Sequence, residues 1–284
     1  MKKFLFFSTS AALLMAFVIG ASLRSAHMPQ GPTTVEVAAA TTVEHVASLT
    51  PGINFHEVNF VIQQVPNANP IEEEEPEEEV RRPMVALTFD DGPSQFTDPI
   101  LDLLYEHGGR ATFFVLGYRI GSRPETIIRM NNLGNEVANH SWGHAHLVRL
   151  DANGILWELN SAREAIEAVI GQSAPLLRPP FGSTNATVRQ VAADLGYPII
   201  NWNLDTMDWR YRDPERIYNV IMDNVEDGSV ILLHDIHGTT ATAMERVIPR
   251  LVEEGFDLVT VSELLNYFYG ELEPGKIYGM SFDR

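Results

Sequence analysis

The chain has 284 residues, 45% of them hydrophobic, which is room for one large domain or for a domain with extensions. It contains no cysteine, so disulfides, thiolate metal sites and a lipoprotein anchor are excluded, and any metal must be held by histidine and carboxylate. A net charge of -18 argues against nucleic acid as a partner; seven glutamates between positions 72 and 79 supply part of it and leave about -11 elsewhere.

Residues 1–23 read as a targeting segment. Met1-Lys2-Lys3 is a short basic start, and residues 4–23 are nearly all apolar or small. That pattern fits a signal peptide and is long enough to span a bilayer. Arg24 stands where a small-x-small cleavage site is wanted, which favours an uncleaved anchor. In either case the rest of the chain is expected outside the cytoplasmic membrane, secreted or anchored to its outer face. Residues 24–82 read as an acidic, largely disordered tether, rich in Thr, Ala, Val and Pro and ending in the glutamate run.

From Met84 the pattern changes to alternating strand and helix signals. Residues 84–89 predict a buried strand that stops at Asp90-Asp91-Gly92-Pro93. A helix follows over 98–107, capped by Thr97 or Asp98. A strand is expected over 111–115, a helix from Pro124 to Leu133, and a short strand over 136–139. Asp151 caps a long helix reaching Ile170, with Ile155, Leu159, Ala162, Ile166 and Val169 at helical spacing. Then come a strand over 176–178, a helix over 185–195, a strand over 198–204 and a helix over 214–225. The series closes with a strand over 229–233, a helix over 240–254 that must tolerate Pro249, a strand over 257–261 and a helix capped by Ser262 that reaches Tyr269. About seven strands, each followed by a helix, indicate a parallel sheet with helices outside it. A barrel and an open doubly wound sheet both fit. No Gly-x-Gly-x-x-Gly follows the first strand, which removes support from a dinucleotide-binding fold.

Polar clusters fall at the C-terminal ends of these strands, where a barrel places its reactive groups. They are Asp90-Asp91 after the first strand, His140-Ser141-Trp142-Gly143-His144 after the third and Arg178-Pro179-Pro180-Phe181-Gly182 after the fourth. Asp205-Thr206-Met207-Asp208-Trp209 follows the fifth, and Leu232-Leu233-His234-Asp235 ends the sixth. Each alone has a bland reading as a turn, a core histidine or a rigid loop. Five in succession do not.

Together these segments resemble the polysaccharide deacetylase family, also called the NodB-homology domain, over roughly residues 83–270. The resemblance implies an α/β fold, a distorted, incomplete (β/α) barrel with about seven parallel strands, that removes acetyl groups from sugar polymers with a divalent metal. It implies that Asp91, His140 and His144 bind the metal and that Asp90 is the general base, oriented by Arg178. It implies that His234 is the general acid, held by Asp208, and that Trp209 and Leu232 line a pocket for the acetyl methyl.

The residue chemistry is consistent with those roles. Two histidines and a carboxylate form a usual catalytic zinc set; cobalt, nickel or iron suit it too. Asp90, beside Arg178, is placed to stay ionised and take a proton from water. A backbone N–H near Phe181, on a loop stiffened by two prolines, is a candidate donor to the oxyanion. His234, with Asp208 supporting its charge, suits protonation of the leaving amine. Asp205 and Asp235 stay open between support of a histidine and turn residues, and His146 and His237 read as loop or rim residues.

The expected activity is removal of N-acetyl groups from N-acetylglucosamine-containing polysaccharide, with peptidoglycan first because the tether suggests the cell wall. Chitin oligomers, poly-N-acetylglucosamine and acetylxylan are the alternatives, as are a silent glycan-binding protein and a cyclic-amide hydrolase on the same barrel. The intact set Asp90, Asp91, His140, His144 and His234 speaks against the silent protein, and the exported, tethered architecture against the cyclic-amide enzyme. The chain is expected to act as a monomer, and residues 271–284 are expected to be a tail.

Overall fold

In the computed structural model, residues 81–279 are described. The expected signal or anchor segment, the tether up to residue 80 and the last five residues lie outside them. Among the described residues, no helix is long and apolar enough to cross a membrane.

In chain order the elements are β1 (Met84–Asp90), α1 (Thr97–Glu106), β2 (Thr112–Val115), α2 (Gly117–Ile120), α3 (Pro124–Asn132), β3 (Glu136–Asn139) and α4 (Ala152–Ile170). They continue with α5 (Ala186–Asp194), β4 (Ile199–Ile200), β5 (Leu204–Asp205), α6 (Asp208–Tyr211), α7 (Pro214–Asn224) and β6 (Ser229–His234). The last are α8 (Gly238–Glu253), β7 (Asp257–Leu258), α9 (Val261–Tyr269) and β8 (Ile277–Tyr278).

β1 is the central strand. Its residues from Val85 to Asp90 are all buried, as a parallel strand covered on both faces requires. It pairs in parallel with β6 on one side, and with β2 and β7. β2 pairs with β3, and β6 with β5, also in parallel. Leu177 bridges Asn139 to Ile199, which carries the sheet on to β4. The strands thus curl into a ring in which β4 and β5 together form one interrupted stave.

Alternation along β1 separates two cores. Val85, Leu87 and Phe89 face the outer layer, built with Ile100, Leu101, Leu104, Ile155, Leu159, Val247 and Leu251 of the surrounding helices. Ala86 faces the ring interior with Phe114, Ala138, Leu176, Ile200 and Val230, and Val261, Leu264 and Leu265 of α9 join that inner cluster. Asp90 is in step with Ala86 and Thr88, so the same alternation turns its carboxylate inward at the end of the strand.

The structure departs from the expected elements at several places. Phe96, not Thr97 or Asp98, stands at the N-cap of α1, and no side chain caps that helix. The short helices α2 and α6 have no counterpart in the expected series. The stretch 176–178 is a single bridge at Leu177, because Pro175 and Pro179 flank it and leave few N–H groups for a ladder. The strand expected over 198–204 breaks in two. Asn201 N–H donates to Tyr278 O and Asn203 N–H to Val230 O, so the chain passes from β8 to β6 midway. The strand expected over 257–261 stops at Leu258. Thr260, not Ser262, caps α9: its hydroxyl accepts from Glu263 N–H while the Glu263 carboxylate accepts from Thr260 N–H. Finally, the stretch expected to be a tail contributes β8, parallel to β4.

Candidate active site

Every element end expected to carry chemistry meets at the C-terminal mouth of the ring. A cleft of about 370 Å³ there is lined by Asp90, Asp91, His140, His144, Phe181, Trp202, Asp205, Trp209, Leu232 and His234.

The first cluster is a possible metal site. Asp91, His140 and His144 each offer one ligand atom, and these lie within 4.8 Å of one another. Asp91 Oδ1 is 3.5 Å from His140 Nε2 and 3.4 Å from His144 Nε2. Two ligands at about 2.0–2.2 Å from a tetrahedral ion stand roughly 3.3–3.6 Å apart, which matches. Asp91 Oδ1 is buried with no hydrogen-bond partner, as an oxygen waiting for a cation is. His140 Nδ1 lies 2.7 Å from Arg178 O and donates to it, which turns the lone pair of Nε2 toward Asp91. Burial pushes His140 down to about 3, so the ring is neutral, the form that ligates.

The loop bearing both histidines is held by side chains that sequence reasoning did not single out. Ser141 N–H donates to Asn139 Oδ1, His144 N–H to Ser141 Oγ and Gly143 N–H to Glu158 Oε2. Ser141 and His144 adopt positive φ of 70° and 59°, and these bonds hold that strained path. Alternation of polar residues around a histidine pair carries no signal for such partners.

The second cluster is Asp90 with Arg178. Arg178 Nη1 donates to Asp90 Oδ1 and to Thr88 Oγ1, each at 2.7 Å. Its Nε and Nη2 donate to Ile200 O and Asn201 O, and the guanidinium lies 4.1 Å from the centre of the Phe114 ring. Arg178 is fully buried, yet every one of its nitrogens has a partner. Burial pushes the Asp90 carboxyl above its ordinary value, and Arg178 followed by His234 draws it partly back.

The third cluster is His234 with Asp208. His234 Nδ1 lies 2.8 Å from Asp208 Oδ1, and its backbone N–H donates to Asp208 Oδ2 at 2.7 Å. Thr240 Oγ1 donates to the same oxygen. Burial disfavours the His234 cation, but the Asp208 hydrogen bond and charge, with Asp90 and Asp91, outweigh it and push the ring up to about 9. Burial likewise works against the Asp208 charge, but hydrogen bonds from His234 and Thr240 hold the carboxyl below its usual range.

The cleft therefore brings together all ten residues singled out in the sequence except Arg178 and Asp208, which stand directly behind Asp90 and His234. Phe181 sits edge-on between two histidine rings, 4.6 Å from His144 and 5.1 Å from His146. Trp202, which sequence reading passed over, lines the cleft beside them. Asp205 accepts from Met207 N–H and shapes a turn. Asp235 touches neither histidine as a hydrogen-bond partner: fully buried, it accepts from Thr97 Oγ1 and lies against Gly92.

Residues 77–200 match the model of the polysaccharide deacetylase family. The chain is similar to the peptidoglycan-N-acetylmuramic acid deacetylase PdaC of Bacillus subtilis, 40% identical over 72% of this chain and 45% of that protein. The chain thus spans less than half the length of that relative. A peptidoglycan-N-acetylglucosamine deacetylase of Bacillus cereus is 33% identical over 65% of this chain and 89% of its own length. The solved structure of the Bacillus subtilis PdaC deacetylase superposes with a TM-score of 0.63 at 42% identity, covering 65% of this chain and 90% of that one.

Proposed function

The chain belongs to the polysaccharide deacetylase family, and from that membership we propose that it removes N-acetyl groups from an N-acetylglucosamine-containing polysaccharide, with peptidoglycan as the first candidate. The observation that carries the reading is the flanking of Asp91, His140 and His144 by an Asp90–Arg178 pair and an Asp208–His234 pair in one cleft.

Asp91, His140 and His144 would hold a divalent ion, which would supply a water of lowered pKa and polarise the amide carbonyl. Zinc is the default for this donor set, and cobalt, nickel or iron suit it as well. Asp90 takes the proton of the attacking water. Its buried carboxylate is more basic than a solvated one, and the Arg178 guanidinium favours its charged form. His234 presents its Nε2 to the cleft because Nδ1 is engaged with Asp208, and at neutral pH it holds the proton that the departing amine needs. Leu232 and Trp209 give the acetyl methyl an apolar wall, and Phe181 lines the same cleft against His144. A glycan-binding protein without turnover has no use for both a base and a charged acid, each buried at a cost that only hydrogen bonding offsets.

The test is acetate release from peptidoglycan, N-acetylglucosamine oligomers, poly-N-acetylglucosamine and acetylxylan, followed by mass analysis of the peptidoglycan fragments. Loss of 42-dalton acetyl units (roughly the mass an acetyl adds) from glucosamine is expected. Loss from muramic acid instead moves the activity to that named for the Bacillus subtilis relative. No release from any polymer by metal-loaded protein overturns the reading. We further propose that the domain acts outside the cytoplasmic membrane; the basic start and apolar run of residues 1–23 support export. Protease added to intact cells is expected to digest it, and recovery of the whole domain from the cytosol overturns this.

A further inference from the structure

Trp157 stands on α4 with its indole 56% exposed, while Ile155 and Leu159 beside it are fully buried. A lone exposed apolar side chain is ordinary. This one is braced. The Trp142 ring meets it edge-on, 6.2 Å between centroids at 63°. Trp142 is itself wedged: a methyl group on Gly117 would stand 2.6 Å from its ring and 2.9 Å from Ala162. The next residue, Glu158, is 8% exposed and accepts Gly143 N–H at 2.8 Å. Two independent links therefore tie Trp157 to the segment that carries His140 and His144. Trp142 is two residues from each, so its Cα lies within about 7.6 Å of both.

We propose that Trp157, held by Trp142, is a stacking platform for an uncharged sugar ring of the polymer, a neighbour of the unit whose acetyl group enters the cleft; this rests on the polysaccharide reading above. The negative face of an indole attracts the weakly positive C–H face of a pyranose, as it attracts the edge of another ring. A platform already fixed in place loses little freedom when a ligand settles on it. Outside the glutamate run at 72–79 the charge is still about -11, which disfavours an anionic occupant and suits a neutral sugar. Gly143, exposed and without a side chain, adds no bulk on the segment between His144 and Trp142.

The test compares wild type with Trp157→Ala and Trp157→Phe in the full chain, using the hexamer and the dimer of N-acetylglucosamine. Trp157→Ala is expected to raise KM for the hexamer roughly three- to tenfold, the scale of one aromatic stacking contact. It should leave kcat and the dimer kinetics unchanged, and Trp157→Phe should keep most of the hexamer affinity. Calorimetric binding of the hexamer to metal-free protein supplies a readout apart from turnover, and Trp157→Ala should weaken it by the same factor. An unchanged hexamer KM, or an equal rise for dimer and hexamer, overturns the platform. If wild type releases no acetate from either oligomer, the polysaccharide reading fails, and the isotherms alone then decide the platform: weaker binding by Trp157→Ala supports it, equal or undetectable binding overturns it.

Discussion

Arg178 and Asp90 meet at 2.7 Å inside the ring, at positions 88 residues apart, with the guanidinium fully buried. Its donors are also committed to Thr88 Oγ1, Ile200 O and Asn201 O. Arg178→Lys keeps the charge but cannot reach these four acceptors with one ammonium. We expect kcat to fall at least about tenfold. The acid limb of the pH profile should move to higher pH, because weaker pairing lets burial push Asp90 further up. An unmoved limb would detach Arg178 from the ionisation of Asp90.

The two adjacent aspartates should separate cleanly. Asp91→Asn replaces the orphaned buried oxygen with a poorer ligand, so metal content and turnover should fall together and excess metal should restore part of each. Asp90→Asn should keep the metal and lose turnover by about a hundred- to ten-thousand-fold without rescue. Metal analysis and acetate release on both variants check this. The opposite pattern would exchange the two roles.

The Asp208–His234 pair sets a pH window. The folded His234 value of about 9 lies above the ordinary 6.5, so the stability it contributes is full below 6.5 and is lost as pH rises through about 9. Asp208, held below its usual value, contributes above the ordinary aspartate range and loses that as pH falls through its depressed value. Asp208→Asn should bring the alkaline limb of kcat to lower pH and flatten the decline in melting temperature between pH 6.5 and 9. A limb that stays in place would mean another group protonates the amine.

Gly92 has no room for a side chain. A Cβ there would stand 2.4 Å from both carboxylate oxygens of Asp235, which is fully buried. Gly92→Ala should destabilise by about 1–3 kcal/mol in urea unfolding and displace the neighbouring Asp91, weakening metal binding. Adding Asp235→Ala should restore part of both. Full stability in the single variant would show that the carboxylate has somewhere to go.

Deleting residues 271–284 removes β8 and the backbone partners it gives to Ile199 and Asn201. Stability should fall and the β4 edge should become prone to association. Unfolding midpoint and light scattering measure these. A shortened chain as stable and monodisperse as the full one would make β8 dispensable.

The parallel strand-and-helix plan was legible because β1, β2, β3 and β6 are long or buried enough to leave a run in the sequence. The site was legible because each cluster sits just past such a run. The two-residue strands were not, since no periodicity fits in Ile277–Tyr278, and the break between β4 and β5 depends on which neighbour takes each N–H. The cap of α9 had a signal that went unused: Thr260 and Glu263 are at capping-box spacing. Glu158 and Asn139 gave none, because what they hold is a loop that only the folded chain brings to them.

The register of β1 with β6 also has a kinetic side. Val85 pairs with Ser229, 144 positions along the chain, so the ring closes only after a long loop has been ordered. Asp91 reaches His140 and His144 only when β1, β2 and β3 already stand in line. An ion added during refolding is expected to find its three donors only once those strands are aligned. It should lengthen the lifetime of the native state many-fold while leaving the rate of folding almost untouched.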